Sequence, residues 1–266
     1  MNINENVLII IPTHSKYIEV VQNFLQLLSK NWPNCPYRII ISMCGKSIKI
    51  DDYECIYNGV NASLIDCILS VHKRYKYDYY ICFLGDAFIN KKIMNESISN
   101  IINLLYTYRI NYCSLINERS YVQPKLVDNT YLRYIHSKDR YSHSFISFVA
   151  SNYYVEQCLS QYKSDLDFEL SYLSVKKNFY YNDHAIVTYN VLNIVTGITK
   201  GKWNRFSLWE LKKANPEVDF ANMPLESYFE SLYSLLHGWL ISYIPDSVRK
   251  TLKAFGYIKK RSVSKD

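Results

Sequence analysis

Residues 79–84 (YYICFL) form an unbroken apolar run that stops abruptly at Gly85 and Asp86. A run of this length, bounded by a glycine, is the pattern of a strand buried on both faces, as in a parallel sheet. Asp86 then falls just past the strand's carboxyl end. In open α/β sheets that edge is where ligands bind. The simpler reading of a lone strand-end acid is a turn residue, and the two readings stand side by side at this point.

The flanking segments supply the rest of such a sheet. Residues 7–11 are a short aliphatic run ended by Pro12, a first strand. Residues 17–30 carry apolar side chains at 17, 18, 20, 21, 24, 25, 27 and 28, near helical period. Strands are expected over 37–41, 54–57 and 111–116. Helices are expected over 62–75, where Ile65, Ile68, Leu69 and His72 keep helical spacing, and over 93–106. The order β-α-β-β-α-β-α-β predicts an α/β fold with a mostly parallel sheet and helices on both faces. Long right-handed crossovers would connect its strands.

Residues 117–140 are polar and rich in Tyr, Arg and Lys, and read as a long loop with one short strand. Loops of that length in a compact domain usually serve function. A strand is expected over 144–150, and Ser151 is placed to cap a helix over 153–162. Residues 166–175 read as helical, and 180–193 as β-branched and alternating. Thr199 to Arg205 (TKGKWNR) is a basic loop, followed by a helix over 206–214. Pro224 opens a last apolar helix, and Pro245 separates it from a basic amphipathic segment over 247–257. The expected organisation is a domain over 1–205 and a C-terminal helical segment over 206–266.

A length of 266 residues with 48% hydrophobic content is enough for a sizeable core. Seven cysteines are scattered singly, with no CxxC pair and an odd count. That pattern reads as reduced, buried thiols of a cytoplasmic protein, not a disulfide framework or a zinc site. Neither a signal peptide nor a membrane-spanning segment is expected. The charge is uneven: residues 246–266 hold seven Lys or Arg against two Asp, a net of +5 out of +7 for the chain. A basic tail points to an anionic surface. A solvated terminus is the plainer account.

Phosphate-loop, dinucleotide-fingerprint and nucleophile-elbow motifs are all absent, and no histidine pair has zinc spacing. Four constellations remain. Thr13, His14 and Tyr17 follow the first strand, where backbone N–H groups and side chains can hold a nucleotide, or where the same residues merely cap a helix. Asp86 can hold Mg²⁺ or Mn²⁺ bridging a diphosphate, since hard cations want oxygen ligands. Asp165, Asp167 and Glu169 are candidates for a general base that deprotonates an acceptor hydroxyl. They are equally suited to an acidic helix start. Lys200, Lys202 and Arg205 around Trp203 can neutralise a leaving diphosphate, though a basic turn beside a buried Trp is common.

Four segments in this order carry a resemblance: VLIIIPTHSKY with KNWPNCPYRIIIS, then YYICFLGDAFINKKIMNESI, then HSFISFVASNYYVEQCL with SDLDFEL, and last IVTGITKGKWNR. Together, over about residues 7–205, the chain resembles bacterial nucleotide-sugar glycosyltransferases of capsule and lipopolysaccharide gene clusters, of GT-A type. The family pattern has two adjacent acids after the central strand, where this chain has Gly85-Asp86. The resemblance implies Asp86 for the donor diphosphate or its metal, Mg²⁺ or Mn²⁺, and Glu169 or Asp167 as base. It also implies a lipid-linked glycan acceptor and a place on the cytoplasmic face of the inner membrane. Its basic C-terminal end would there meet anionic lipid. Two other classes remain in view. One is a non-catalytic relative acting as a binding or scaffold protein, motivated by Gly85. The weaker one is a nucleic-acid binder, motivated by the basic tail and the many tyrosines.

Overall fold

A computed structural model describes residues 6–116, 132–134, 143–169, 186–188 and 191–243. The chain forms two compact units, Met1–Glu226 and Ser227–Asp266. The first runs beyond the expected boundary at 205, because Leu211 is part of its buried core.

The first unit contains β1 (Val7–His14), a 3-10 turn (Ser15–Tyr17), α1 (Ile18–Asn31), β2 (Arg38–Cys44), β3 (Glu54–Tyr57), α2 (Leu64–Arg74) and β4 (Tyr79–Phe83). There follow β5 (Ala87–Ile89), α3 (Asn95–Thr107), β6 (Tyr112–Ser114), β7 (Leu132–Tyr134), β8 (Ser147–Ser151), α4 (Asn152–Gln157), a second 3-10 turn (Leu159–Gln161) and α5 (Asp165–Glu169). Last come β9 (Ile186–Thr188), β10 (Ile194–Thr196), β11 (Ile198–Thr199), β12 (Lys202–Trp203) and α6 (Arg205–Ala214).

The main sheet has the order β3-β2-β1-β4-β8-β6-β9-β7. Pairings β3-β2, β2-β1, β1-β4 and β6-β9 are parallel. Strand β8 runs against both β4 and β6, and β7 runs against β9. The expected α/β class holds, with a mixed sheet in which parallel pairings prevail.

Alternation along the strands splits the core in two. Val7, Ile9 and Ile11 of β1 face one layer with Val21 and Phe24 of α1 and Ile98 and Ile102 of α3. Leu8 and Ile10 face the other, with Ile65 and Ile68 of α2 and Tyr154 of α4. The period of two sends successive residues to opposite sides, so a continuous apolar run is what a strand between two helical layers requires. Each such fully buried side chain contributes about 1.5–3 kcal/mol.

Local signals set the helix ends. Ser63 and Asp66 form a capping box that starts α2. Ser151 caps α4 as expected, its Oγ accepting from Tyr154 N at 3.1 Å. The helix expected over 153–162 is shorter: α4 stops at Gln157 and tightens into the turn Leu159–Gln161, which keeps Leu159 in the core. Residues 170–175, 244–266 and most of 117–140 lie outside the described residues.

The second unit contains α7 (Tyr228–Tyr243). Among the described residues, no helix is long and apolar enough to cross a membrane.

Candidate functional site

The end of β4 turns sharply. Ala87 N donates to Leu84 O at 2.8 Å, which closes a tight turn with Gly85 and Asp86 at its corners. Gly85 has no room for a side chain: a Cβ there would lie 2.6 Å from Val21 Cγ2 and 3.4 Å from Thr13 Oγ1. The close packing of α1 on this strand end therefore accounts for the absence of an acid at 85. It also sets Thr13, buried at the end of β1, directly beside the turn.

Asp86 keeps some exposed surface, but its carboxyl is desolvated. Burial raises its pKa from 3.8 to about 6, opposed in part by its own backbone N–H. No cation pairs with it among the described residues. A buried acid without a partner destabilises the fold when ionised, so it is a candidate for a functional group.

Beyond Asp86, Ala87, Phe88 and Ile89 of β5 pair antiparallel with Thr196, Val195 and Ile194 of β10. This brings Gly197 and the following hairpin alongside the turn. Strands β11 and β12 are joined through Lys200 (φ 52°) and Gly201 (φ 76°). Two successive positive φ values make the tight two-residue connection that suits twisted strands. Trp203 anchors the hairpin: its ring stacks on Phe88 at 5.3 Å and 22°, and its Nε1–H donates to Ala221 O at 2.8 Å. Gly197 admits this ring, since a Cβ there would lie 2.4 Å from Trp203 Cζ3. At the hairpin tip, a Cβ on Gly201 would lie 3.6 Å from Tyr17 Oη. The basic loop and the turn after β1, 184 residues apart in sequence by these two numbers, thus meet at one sheet edge.

On the β1 side, His14 Nδ1 accepts from Lys16 N at 3.1 Å and caps the 3-10 turn. Burial, then Lys16, lowers its pKa. Ser15 Oγ accepts from Lys46 N at 2.8 Å, and Gly45 (φ 90°) lies close under His14 and Ser15. Lys16 Nζ stands 4.7 Å over the Tyr17 ring.

On the other side, Ile146 O accepts from Leu84 N at 2.8 Å, and Phe145 N donates to Glu169 Oε1 at 3.2 Å. These two bonds tie Glu169 to the same strand end as Asp86. Asp167 has a more local role: its Oδ2 accepts from Lys163 N at 3.3 Å, and its N–H donates to Ser164 Oγ at 3.1 Å, at the start of α5. Arg205 Nε donates to Glu226 O at 2.5 Å, and Asn204 Nδ2 to Glu226 Oε2 at 2.8 Å.

The structure thus gathers Thr13, His14, Tyr17, Asp86, Lys200, Lys202 and Glu169 along one edge. Sequence reasoning missed Phe88 and Gly197, which shape that edge. The glycine before a small-Lys-Trp hairpin is the signal that would have pointed to Gly197. As a metal ligand set, the edge offers Asp86, since Glu169 already accepts from Phe145 N, and among the described residues no group of three or more His, Cys, Asp or Glu could hold a metal ion. A single carboxylate fits a cation that arrives with phosphates, as Mg²⁺ commonly binds. Asp86 would hold it, and the cation would supply charge neutralisation.

The sequence matches no protein-family model and no curated protein. In structure the chain is similar to the mannosyltransferase PcManGT from Pyrobaculum calidifontis in complex with GDP-Man and Mn²⁺ (TM-score 0.47, 9% identity, covering 96% of this chain and 76% of that one). It is similar to a cytidylyltransferase from Leptospira borgpetersenii (TM-score 0.43, 14% identity, covering 84% and 99%). It is also similar to a UDP-glucose pyrophosphorylase complexed with UDP-glucose (TM-score 0.44, 10% identity, covering 75% and 85%). At these TM-scores the likeness carries neither residue roles nor a reaction to this chain.

Proposed function

We propose that the chain transfers a sugar from a nucleotide-sugar donor to a hydroxyl of a lipid-linked surface-polysaccharide intermediate at the cytoplasmic face of a membrane. The supporting observation is Asp86: a desolvated carboxyl at the carboxyl edge of β4, without a cation partner among the described residues, just before the strand β5 that pairs with β10. Thr13, His14 and Tyr17 line the nucleotide. Asp86 would hold a Mg²⁺ or Mn²⁺, which would supply charge neutralisation for the diphosphate. Glu169, with Asp167 second, takes the proton of the acceptor hydroxyl as its oxygen bonds to the anomeric carbon. The bond from that carbon to the diphosphate breaks, and the nucleotide leaves with the electron pair. Lys200 and Lys202 neutralise that charge. Arg205, whose Nε donates to Glu226 O, adds to the same positive field.

A second reading has one observation in its favour. Val21 leaves no room for an acid at 85, which suits a protein that binds a nucleotide sugar without turning it over. Purified chain incubated with UDP-, GDP- and CMP-sugars, with and without Mn²⁺, separates the two. Nucleotide release that disappears in Asp86→Ala supports transfer. Binding without release favours the second reading. Neither binding nor release with any donor would overturn both.

A further inference from the structure

We infer that the exposed face of α7 docks on an anionic lipid surface. The helix has a fixed start. Ser227 N donates to Glu230 Oε2 at 2.7 Å and Glu230 N donates to Ser227 Oγ at 3.1 Å, a reciprocal cap. From that start, Phe229, Tyr233 and Leu236 fall at i, i+4 and i+7 and share one face. They are 82%, 65% and 45% exposed. Single exposed apolar residues are ordinary, but a stripe of three large ones marks a surface that takes a partner.

The helix itself narrows the partner. Its sequence, YFESLYSLLHGWLISY, holds one carboxylate and no Lys or Arg. At 16 residues it is shorter than the roughly 20 that a bilayer crossing needs. An apolar, aromatic helix too short to span can lie in the interface plane, with rings at the headgroup level. The chain that follows then separates lipid from a neutral protein groove. Residues 246–266 carry seven Lys or Arg against two Asp, a charge that complements anionic headgroups. One apolar face plus one basic segment gives the two signals that stable membrane attachment requires. The inference is independent of the reaction proposed above.

The test is co-sedimentation of the full chain with vesicles of phosphatidylcholine alone or with phosphatidylglycerol added at about a third of the lipid. The chain is expected on the anionic vesicles and not on the neutral ones. Phe229→Ser with Tyr233→Ser is expected to lower partitioning about tenfold or more, the loss of two inserted side chains. Lys259→Glu, Lys260→Glu and Arg261→Glu together leave α7 intact and are expected to remove the preference for anionic lipid. If the serine variant loses its circular dichroism, this charge variant decides alone. The inference is overturned by absence from anionic vesicles, or by a folded serine variant that partitions like the parent. It is also overturned by a dimer that Phe229→Ser dissolves while vesicles capture nothing.

Discussion

Replacing Asp86 by Asn should make the protein more stable and inactive at once. The carboxyl loses its proton near 3.8 when unfolded and near 6 when folded. Between those values the folded state binds more protons than the unfolded one, so stability falls as pH rises, and the penalty is complete above about 6. A shift of about two units corresponds to about 3 kcal/mol. Asn carries no charge to desolvate, so Asp86→Asn should gain about 2–3 kcal/mol at pH 8 and only a few tenths at pH 4. At pH 8 that is roughly a 5–10 °C rise in melting temperature for a chain of this size. Urea titrations of both proteins at several pH values read the difference directly, because all other titrating groups cancel. A difference that does not grow with pH, or a variant less stable than the parent at pH 8, would refute the argument. The same variant should lose donor turnover, and the parent's turnover should rise through pH 6 as Asp86 ionises.

Three further outcomes are expected. Gly85→Ala forces Val21 aside and should cost about 1–3 kcal/mol in chemical denaturation; with Val21→Ala the two losses should add to less than their sum. Trp203→Ala removes the ring that holds the hairpin on Phe88. It should cost about 3–5 kcal/mol, whereas Trp203→Phe keeps a ring on Phe88 and should lose about 1–3 kcal/mol by leaving Ala221 O without its donor. Burial pushes the thiols of Cys35 to about 11 and of Cys67 and Cys158 to about 12, and raises those of Cys82 and Cys113 as well. Mass spectrometry of briefly alkylated native protein should therefore find these five unlabelled, with the half-buried Cys55 modified first.

The long elements were legible because their periodicity is strong. The apolar spacing of residues 17–30 marks α1, and the continuous run at 79–84 marks β4 with helices on both faces. The partition of β1 into Ile9 on one side and Ile10 on the other is what such a run implies. The site's geometry was harder to read. Strands β5 and β10 are three residues each and pair across more than a hundred residues, so neither has a local signal. Gly85 read as a missing acid, whereas Val21 shows it as a steric requirement of helix packing. Helical spacing separates Glu169 from Asp167 in sequence, but only the bond from Phe145 N–H shows which strand end Glu169 is tied to.

The most direct test of the account is hydrogen exchange of the full chain with and without a bound nucleoside diphosphate. Slowed exchange is expected at three separated segments together: residues 13–17, 85–88 and 198–203. Protection confined instead to the open groove of about 570 Å³ beside Asn58, Ser70 and Lys73, with those three segments unchanged, would contradict it.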